Sequence, residues 1–214
     1  MSLPQRELQF TVAEYLAAER ETEERNEYLD GFIYRMAGES PEHGTICSNL
    51  AGQLYLQLRG KPCQYFSKDT KVRSGPLPER LHSTKGLYSY PDLLVVCGKL
   101  QLLDEHRDVL LNPIVIIEVT SPTTEHFDRT EKWMRYQRWL PTLSDYILVA
   151  QTRPVIEQYQ RAADNRWTYS AVSETGSLFI ASIECTLELA EVYDRVEFPP
   201  PNEDEDIDHL LRNQ

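Results

Sequence analysis

Two short aliphatic runs constrain the fold of this chain more than any other feature of its sequence. One ends at Cys97 and the other ends at Val119, and both are typical of buried strands. An acid accompanies each run, since Asp92 directly precedes the first and Glu118 lies inside the second. A buried charge is costly unless a metal, a partner or a proton compensates it. If the two strands are antiparallel, the start of one lies beside the end of the other, and the two carboxylates meet.

A divalent cation is the simplest compensation for two carboxylates at one place, because the acids otherwise repel each other. Hard cations such as Mg²⁺ take oxygen ligands, so the backbone carbonyl of Val119 is a candidate third ligand. The alternative is that Asp92 and Glu118 only cap turns at strand ends, which the neighbouring Pro91 and Pro122 would fit. The sequence favours the metal site, since Glu118 has apolar residues on both sides.

Length and charge limit the number of domains and the partners that this chain is expected to have. A chain of 214 residues that is 41% hydrophobic suits one domain, expected over residues 1–198, followed by an acidic and flexible tail over residues 199–214. The net charge of −12 argues against non-specific binding to phosphate backbones. The apolar stretches are too short to span a membrane and the N-terminus lacks the features of a secretory signal, so a cytoplasmic protein without a membrane partner is expected.

The cysteines are spread along the chain without a C-x-x-C pair. We expect them to be reduced packing residues rather than a zinc site or a disulfide framework. They are Cys47, Cys63, Cys97 and Cys185.

Local signals predict helices and strands within one α/β or α+β domain. Helices are expected to begin at the capping box that starts with Thr11, at Ser40-Pro41 and near Asp128, the last of them ending at Leu140. Asp30-Gly31 predicts a tight hairpin turn. Further strands are expected near residues 63–66, 70–73 and 146–149, in a hairpin over 154–169, and as short strands up to about 189. Residues 74–89 are predicted to form a loop.

Lys132 and Glu27 are candidates for supporting a metal site. Lys132 follows Glu118 by 14 residues, in a helix expected to pack near the end of that strand. It could orient an attacking water or stabilise charge on a phosphoryl group, or it could form a surface ion pair with Asp128, four residues earlier. Alternation with Leu29 turns Glu27 inward as a further metal or supporting carboxylate. The alternative for Glu27 is an exposed strand charge.

Three residues are candidates for contacting a substrate. His43 lies near the start of a helix, where it touches substrate or is simply a polar residue of the first turn. Lys71, with Asp69 and Arg73, either lines a cleft or is an exposed strand charge. Arg129 opens a basic and aromatic helix that could bind a polynucleotide by phosphate contacts and stacking, although the aromatic spacing is also that of a core-facing helix.

Several motifs, taken in order, resemble one protein family. They are the Asp-Gly hairpin, the Ser-Pro-Glu-His helix start, Tyr90-Pro91-Asp92, Glu118-Val119-x-Ser121-Pro122-x-Thr124 and Asp128-Arg129-x-x-Lys132-x-x-x-Tyr136. In this order they resemble the restriction-endonuclease-like (Uma2-type) proteins of many bacterial genomes, over about Thr11 to Val192. The resemblance implies a PD-(D/E)xK nuclease core, which is a mixed central β-sheet flanked by helices.

The resemblance also implies roles for individual residues. Asp92 and Glu118 match the two acids that bind Mg²⁺, for which Mn²⁺ can substitute. A lysine normally follows the second acid by two positions, where this chain has Thr120. In the family that role moves to the next helix, where Lys132 matches. Glu27 matches an acid that many members of the superfamily carry in an early element.

The function implied by the resemblance is magnesium-dependent endonuclease activity on the phosphodiester bonds of nucleic acid, with DNA as the expected substrate. Paired active sites in a homodimer would cut both strands of a duplex. Two alternatives stay open: a catalytically silent module that binds nucleic acid or protein, and an accessory protein that acts only in a complex. The acidic charge and the displaced lysine favour the silent module, whereas the pair of Asp92 and Glu118 favours the nuclease.

Overall fold

The computed structural model describes residues 9–36, 38–76 and 83–198. The helices are α1 (Val12–Glu19), α2 (Pro41–Leu58), α3 (Glu125–Phe127), α4 (Trp133–Trp139) and α5 (Leu189–Val192), and a π-helical turn (Asp128–Lys132) joins α3 to α4. The strands are β1 (Asn26–Leu29), β2 (Phe32–Arg35), β3 (Cys63–Ser67), β4 (Lys71–Ser74), β5 (Leu87–Ser89), β6 (Leu93–Cys97), β7 (Val109–Leu110), β8 (Val115–Thr120), β9 (Asp145–Ala150), β10 (Val155–Arg161), β11 (Trp167–Ser173), β12 (Ser177–Ile180) and β13 (Cys185–Glu188). The acidic tail predicted over residues 199–214 lies outside the described residues, and the domain boundary at 198 stays a prediction.

A mixed six-stranded sheet forms the centre of the described fold, in the order β11-β10-β9-β8-β6-β3. Strands β8 and β9 are parallel, and the other neighbours in this sheet are antiparallel. The two aliphatic runs are β6 and β8, and Leu93 lies opposite Ile117. The antiparallel arrangement, on which the expected meeting of the two acids depends, is therefore present.

Alternation along the strands divides the core into two layers, because successive side chains point to opposite faces. Leu93, Val95 and Ile117 pack against α2, α5 and the β12–β13 hairpin. Ile116 and Leu148 on the opposite face pack against α4. Glu118 has the same parity as Ile116, so its carboxylate enters the α4 side of the sheet.

A second sheet lies on the α4 side, in the order β2-β1-β5-β4-β7, with β4 and β7 parallel. Helix α1 covers it through a cluster that includes Tyr15, Tyr28 and Tyr88. Both sheets are mixed and are flanked by helices. The α/β (α+β) fold class predicted from the sequence is thereby confirmed.

The local start signals are confirmed in α1 and α2. The Thr11 hydroxyl accepts the N–H of Glu14 at 3.2 Å, and the Ser40 hydroxyl accepts the N–H of His43 at 3.2 Å. Asp30 and Gly31 both adopt positive φ, at 48° and 104°, in the turn between β1 and β2. A glycine suits the second position, since it takes such angles without steric cost.

Some elements differ from the sequence prediction. Residues 87–89, predicted as part of a loop, form β5, which lies between β1 and β4. A strand of three residues is too short for its periodicity to be visible. Residues 77–82 of the same predicted loop lie outside the described residues. The helix expected to begin near Asp128 begins at Glu125 and passes through the π-helical turn before α4.

The expectation that all the cysteines are reduced was wrong for two of them. Cys63 and Cys97 form a disulfide between β3 and β6, where they stand directly opposite each other. Their separation of 34 residues gives no hint of this, because the pairing depends on strand register. Cys47 and Cys185 are free and buried, as expected. Within the described ranges no helix combines the length and the apolar character needed to cross a bilayer.

Candidate active site

The ammonium of Lys132 lies among three carboxylates from three different elements. Its Nζ is 3.3 Å from Glu27 Oε1 of β1, 3.3 Å from Glu118 Oε1 of β8 and 3.1 Å from Asp128 Oδ1 of the π-helical turn. Glu118, Asp128 and Lys132 are buried. Three carboxylates and one ammonium leave a formal excess of two negative charges in this buried cluster.

Burial and neighbouring charge set the protonation of the cluster. Burial raises the pKa of Glu118 well above its ordinary value, Lys132 opposes that rise, and Asp128, Asp92 and Glu27 add to it. Burial alone would lower the pKa of Lys132, but the surrounding carboxylates outweigh it and raise that pKa well above its usual range. Lys132 is therefore a fixed cation at neutral pH, whereas burial favours the protonated form of the Glu118 carboxyl.

A tyrosine and a serine hold the position of Glu118. The Tyr136 hydroxyl donates to Glu118 Oε1 at 3.3 Å and shares a 2.7 Å hydrogen bond with the Ser89 hydroxyl of β5. Among the contacts of the described residues, those of Lys132 and Tyr136 both fall on Oε1 of Glu118. The second oxygen, Oε2, is left for another ligand.

Asp92 directly precedes β6, next to Glu118. Continuing the register of β6 and β8 by one pair places Asp92 opposite Glu118. Asp92 Oδ2 accepts the Val119 N–H at 2.8 Å, and Oδ1 is 2.8 Å from His43 Nε2 of α2. Asp92 thereby links the strand that carries Glu118 to the helix on the other face of the sheet.

Pro91 leaves the carbonyl of Val119, next to Asp92, without a hydrogen-bond donor from the neighbouring strand. The Val119 N–H faces β6, and the N–H and C=O groups of one residue in an antiparallel ladder face the same neighbour. The residue opposite Val119 in this register is Pro91, which has no N–H to donate. The ladder therefore offers no donor to the Val119 carbonyl beside Asp92.

The residues present fit a hard divalent cation. Asp92, Glu118 and the Val119 carbonyl bring oxygen atoms to one end of the β6–β8 pair, and oxygen is the ligand that Mg²⁺ prefers. The formal excess of negative charge around Lys132 is of the sign and size that a divalent cation would neutralise. A cation would also reverse the raised pKa of Glu118.

A profile of the family described as "Uma2: Putative restriction endonuclease" matches residues 12–190. The chain belongs to the Uma2 family. Two uncharacterized proteins of Synechocystis sp. (strain ATCC 27184 / PCC 6803 / Kazusa) are similar to it. Protein sll1609 is 30% identical over 157 residues, which cover 73% of this chain and 84% of the relative. Protein slr1290 is 30% identical over 180 residues, which cover 84% of this chain and 89% of the relative.

A solved structure is similar in fold. It is a crystal structure described as a putative nuclease belonging to DUF820 from Anabaena variabilis ATCC 29413, with a TM-score of 0.69 and 16% sequence identity. The similarity covers 88% of this chain and 99% of the other. At this level of identity the match shows that the Uma2 chain shares the fold of that protein.

Two candidate substrate residues do not join the cluster. Lys71 is buried in β4, where its ammonium is 3.3 Å from Asp108 Oδ2. Arg129 forms ion pairs with Glu125 and Glu157. These placements give neither residue a free charge for phosphate, whereas His43 does lie at the site through Asp92.

The basic and aromatic helix is used largely inside the protein. Arg135 pairs with Asp30 and Glu131, as Arg129 does with its own acids. Trp133 stacks on Tyr146 and Tyr159. The core-facing alternative suggested by the aromatic spacing describes this helix better than an open nucleic-acid surface.

Sequence reasoning missed several members of the site. A surface pair with Asp128 was one of the two alternatives for Lys132, but the pair is buried. Tyr136 was expected to be a core residue, and its hydroxyl also reaches Glu118. Cys47 was expected to be a packing residue, yet the charges of Asp92 and Glu118 both act on its thiol. The four-residue spacing of His43 and Cys47 within α2, with Glu39 four residues before His43, was the signal that could have drawn attention to this place.

Proposed function

We propose that this Uma2-family chain is a magnesium-dependent endonuclease that hydrolyses phosphodiester bonds of DNA. The observation that carries the proposal is the buried cluster in which Glu27, Glu118 and Asp128 share the single ammonium of Lys132, with Asp92 beside it. A cluster with excess negative charge costs stability in a protein without a cation, so it favours a metal-dependent role over a structural one. Membership in a family described as "Putative restriction endonuclease" supports the reaction class.

The proposed ligands of the ion are Asp92, Glu118 and the carbonyl of Val119. Mg²⁺ is the expected ion, and Mn²⁺ would substitute because it also favours oxygen ligands. When bound, the ion would neutralise the scissile phosphate and lower the pKa of a bound water. Glu27 would support the site through Lys132 rather than by contact with the ion.

Lys132 is proposed to act as a fixed cation. Its raised pKa keeps it protonated at neutral pH, so it is suited to orienting water or stabilising phosphoryl charge and not to accepting a proton. The three carboxylates around it hold its Nζ in place. Tyr136 would keep Glu118 in the orientation that the ion needs. His43, bonded to Asp92, is proposed to position that acid and to face the substrate.

The homodimer and the cytoplasmic location are also proposals. A protein that cuts both strands of duplex DNA would act as a homodimer, because one site addresses one strand. Cleavage of a supercoiled plasmid would distinguish the two cases: a dimer gives linear product early, whereas a monomer accumulates nicked circles. A DNA substrate would also place the protein in the cytoplasm.

The alternative function is a catalytically silent module that keeps the fold. The internal ion pairs of Lys71 and Arg129 favour it, since they withdraw cations from any nucleic-acid surface. The net charge of −12 also favours the silent module, because it opposes binding to nucleic acid. A silent module has no use for the buried carboxylates, so metal binding separates the two functions.

The deciding experiment is a calorimetric titration of Mg²⁺ and Mn²⁺ into the wild type and into the Asp92→Asn/Glu118→Gln variant. The control variant is Asp164→Asn, which changes an exposed acid in the turn between β10 and β11. The proposal expects binding in the wild type and the control and none in the double variant. If the wild type binds neither ion, alone or with duplex DNA present, the silent module becomes the better description.

A further inference from the structure

The N-terminal part of α2 carries a second group of metal-binding side chains. His43 and Cys47 are one turn apart on one face of α2, and Glu39 directly precedes Ser40, the residue that caps the helix. One ligand atom from each lies within 4.8 Å of the others. Among the residues that the structure describes, this is the group of three whose donor atoms are close enough to hold one ion.

This face of α2 is directed at Asp92. His43 Nε2 is 2.8 Å from Asp92 Oδ1. Cys47 is buried beside the same carboxylate, and its burial, followed by the charge of Asp92, raises the pKa of the thiol. Glu39, at the exposed end, forms an ion pair with Lys68. Asp92 is therefore available as a fourth donor at the inner end of the group.

The donor types indicate which ion would bind. An imidazole, a thiol and carboxylates suit a borderline-soft ion such as Zn²⁺, whereas Mg²⁺ is held by oxygen atoms alone. Zinc bonds of about 2.0–2.3 Å in a tetrahedron put neighbouring ligand atoms roughly 3.5 Å apart. Rotations of the Glu39 and Cys47 side chains would bring the ligand atoms from within 4.8 Å to this shorter spacing. The ion pair between Glu39 and Lys68 would then break.

We propose that Glu39, His43 and Cys47 form a site for a zinc-class transition-metal ion, with Asp92 as the fourth ligand. The site is distinct from the proposed magnesium site, because it lies on the α2 face of the sheet, whereas Glu118 and Lys132 lie on the α4 face. The two share Asp92. Zinc would draw this carboxylate away from the magnesium site and so weaken magnesium binding.

The test uses Co²⁺ as a spectroscopic substitute for zinc, added to the full chain without reductant so that Cys63 and Cys97 stay bonded. A cobalt–thiolate bond gives a charge-transfer band in the near ultraviolet, which oxygen ligands do not give. Cys47→Ser removes the thiolate. The matched control is Cys185→Ser, which changes the other free and buried cysteine. Glu39→Gln removes an exposed ligand with little risk to folding.

The expected result is one Co²⁺ per chain with the thiolate band in the wild type and in Cys185→Ser. Cys47→Ser should lose the band, and Glu39→Gln should weaken binding at least tenfold. Absence of the band in the wild type, or its persistence in Cys47→Ser, overturns the proposal, and so does unchanged affinity in Glu39→Gln.

Glu118→Gln separates this proposal from the proposed nuclease function. The variant should lose magnesium binding and keep the cobalt band, since Glu118 is not a ligand of the α2 site. Loss of the band in Glu118→Gln would mean that the ion occupies the magnesium site, which overturns the second site. Failure of magnesium to bind the wild type, with the cobalt band present, would contradict the nuclease proposal alone.

Discussion

Glu118 costs the metal-free protein stability, because it is buried in a strand between the apolar residues Ile117 and Val119. Its two partners, Lys132 and Tyr136, both contact Oε1 at 3.3 Å, and Lys132 is shared with two further acids. A buried carboxylate with such partial compensation keeps its proton more tightly in the folded chain than in the unfolded one. The stability of the protein should therefore depend on the pH in a way that this residue controls.

The sign of that dependence follows from the raised pKa of Glu118. The folded state binds the proton more tightly, so its stability is greatest below the ordinary pKa and falls as the pH rises through the raised value. Glu118→Gln cannot ionise and should be more stable than the wild type at pH 8 in EDTA, by about 1–3 kcal/mol. Urea unfolding at pH 5 and pH 8 measures this difference. If the variant loses as much stability between the two pH values as the wild type does, another group is responsible.

Lys132 has the opposite effect, because it is the cation that Glu27, Glu118 and Asp128 share. Lys132→Met should lower the free energy of unfolding in EDTA by about 3–5 kcal/mol, the usual cost of leaving buried charges unpaired. Added Mg²⁺ should recover more stability in this variant than in the wild type. The matched control is Lys68→Met, which breaks a more exposed pair with Glu39 and should cost at most about 1 kcal/mol. Equal losses in the two variants would contradict the central position given to Lys132.

At the residue scale, the sequence allowed the meeting of Asp92 and Glu118 to be predicted, because few environments stabilise the charge of an acid within an aliphatic run. Lys132 could be assigned only through the family resemblance, since its spacing from Asp128 fits a surface pair equally well. The contact of Tyr136 with Glu118 could not be predicted. It depends on how far α4 lies from β8, which no local pattern encodes.

Among the helices and strands, the π-helical turn contributes most directly to the candidate active site. Asp128 and Lys132 are its first and last residues, and both side chains reach the cluster. Such turns are rare and recur at functional sites. The sequence predicted a regular helix here, because its apolar spacing does not distinguish a wider turn. The short strands β5 and β7 escaped prediction for a related reason, since two or three residues show no period.

The disulfide between β3 and β6 leads to a prediction about these two strands. Closing a loop of 34 residues should stabilise the fold by about 3–4 kcal/mol in the chain-entropy estimate. The Cys63→Ser/Cys97→Ser variant should lose this stability and should no longer respond to reductant, whereas the wild type should respond. Urea unfolding with and without reductant tests both statements. Intact mass after alkylation provides the control, and four alkylated cysteines in the oxidised wild type would show that the bond does not form.

At the scale of the whole molecule, the charge balance opposes the proposed substrate. A chain with a net charge of −12 repels DNA, and the carboxylates of the site add to this where the phosphate must approach. Several arginines and lysines are already bound to acids within the fold. The proposed function is therefore consistent only if the divalent ion supplies much of the attraction for phosphate.

DNA binding should accordingly require a divalent ion. Ca²⁺ takes oxygen ligands and serves as a stand-in for Mg²⁺ that is expected to bind without promoting cleavage. We expect duplex DNA to bind the wild type at least tenfold more tightly in Ca²⁺ than in EDTA, as measured by fluorescence anisotropy at fixed ionic strength. In the Asp92→Asn/Glu118→Gln variant the affinity should be the same in both conditions, and in EDTA it should exceed that of the wild type, because the Asp92 carboxylate that repels phosphate is removed. Equal affinity of the wild type in Ca²⁺ and EDTA would mean that phosphate does not reach this site, and the silent module would then account better for the fold.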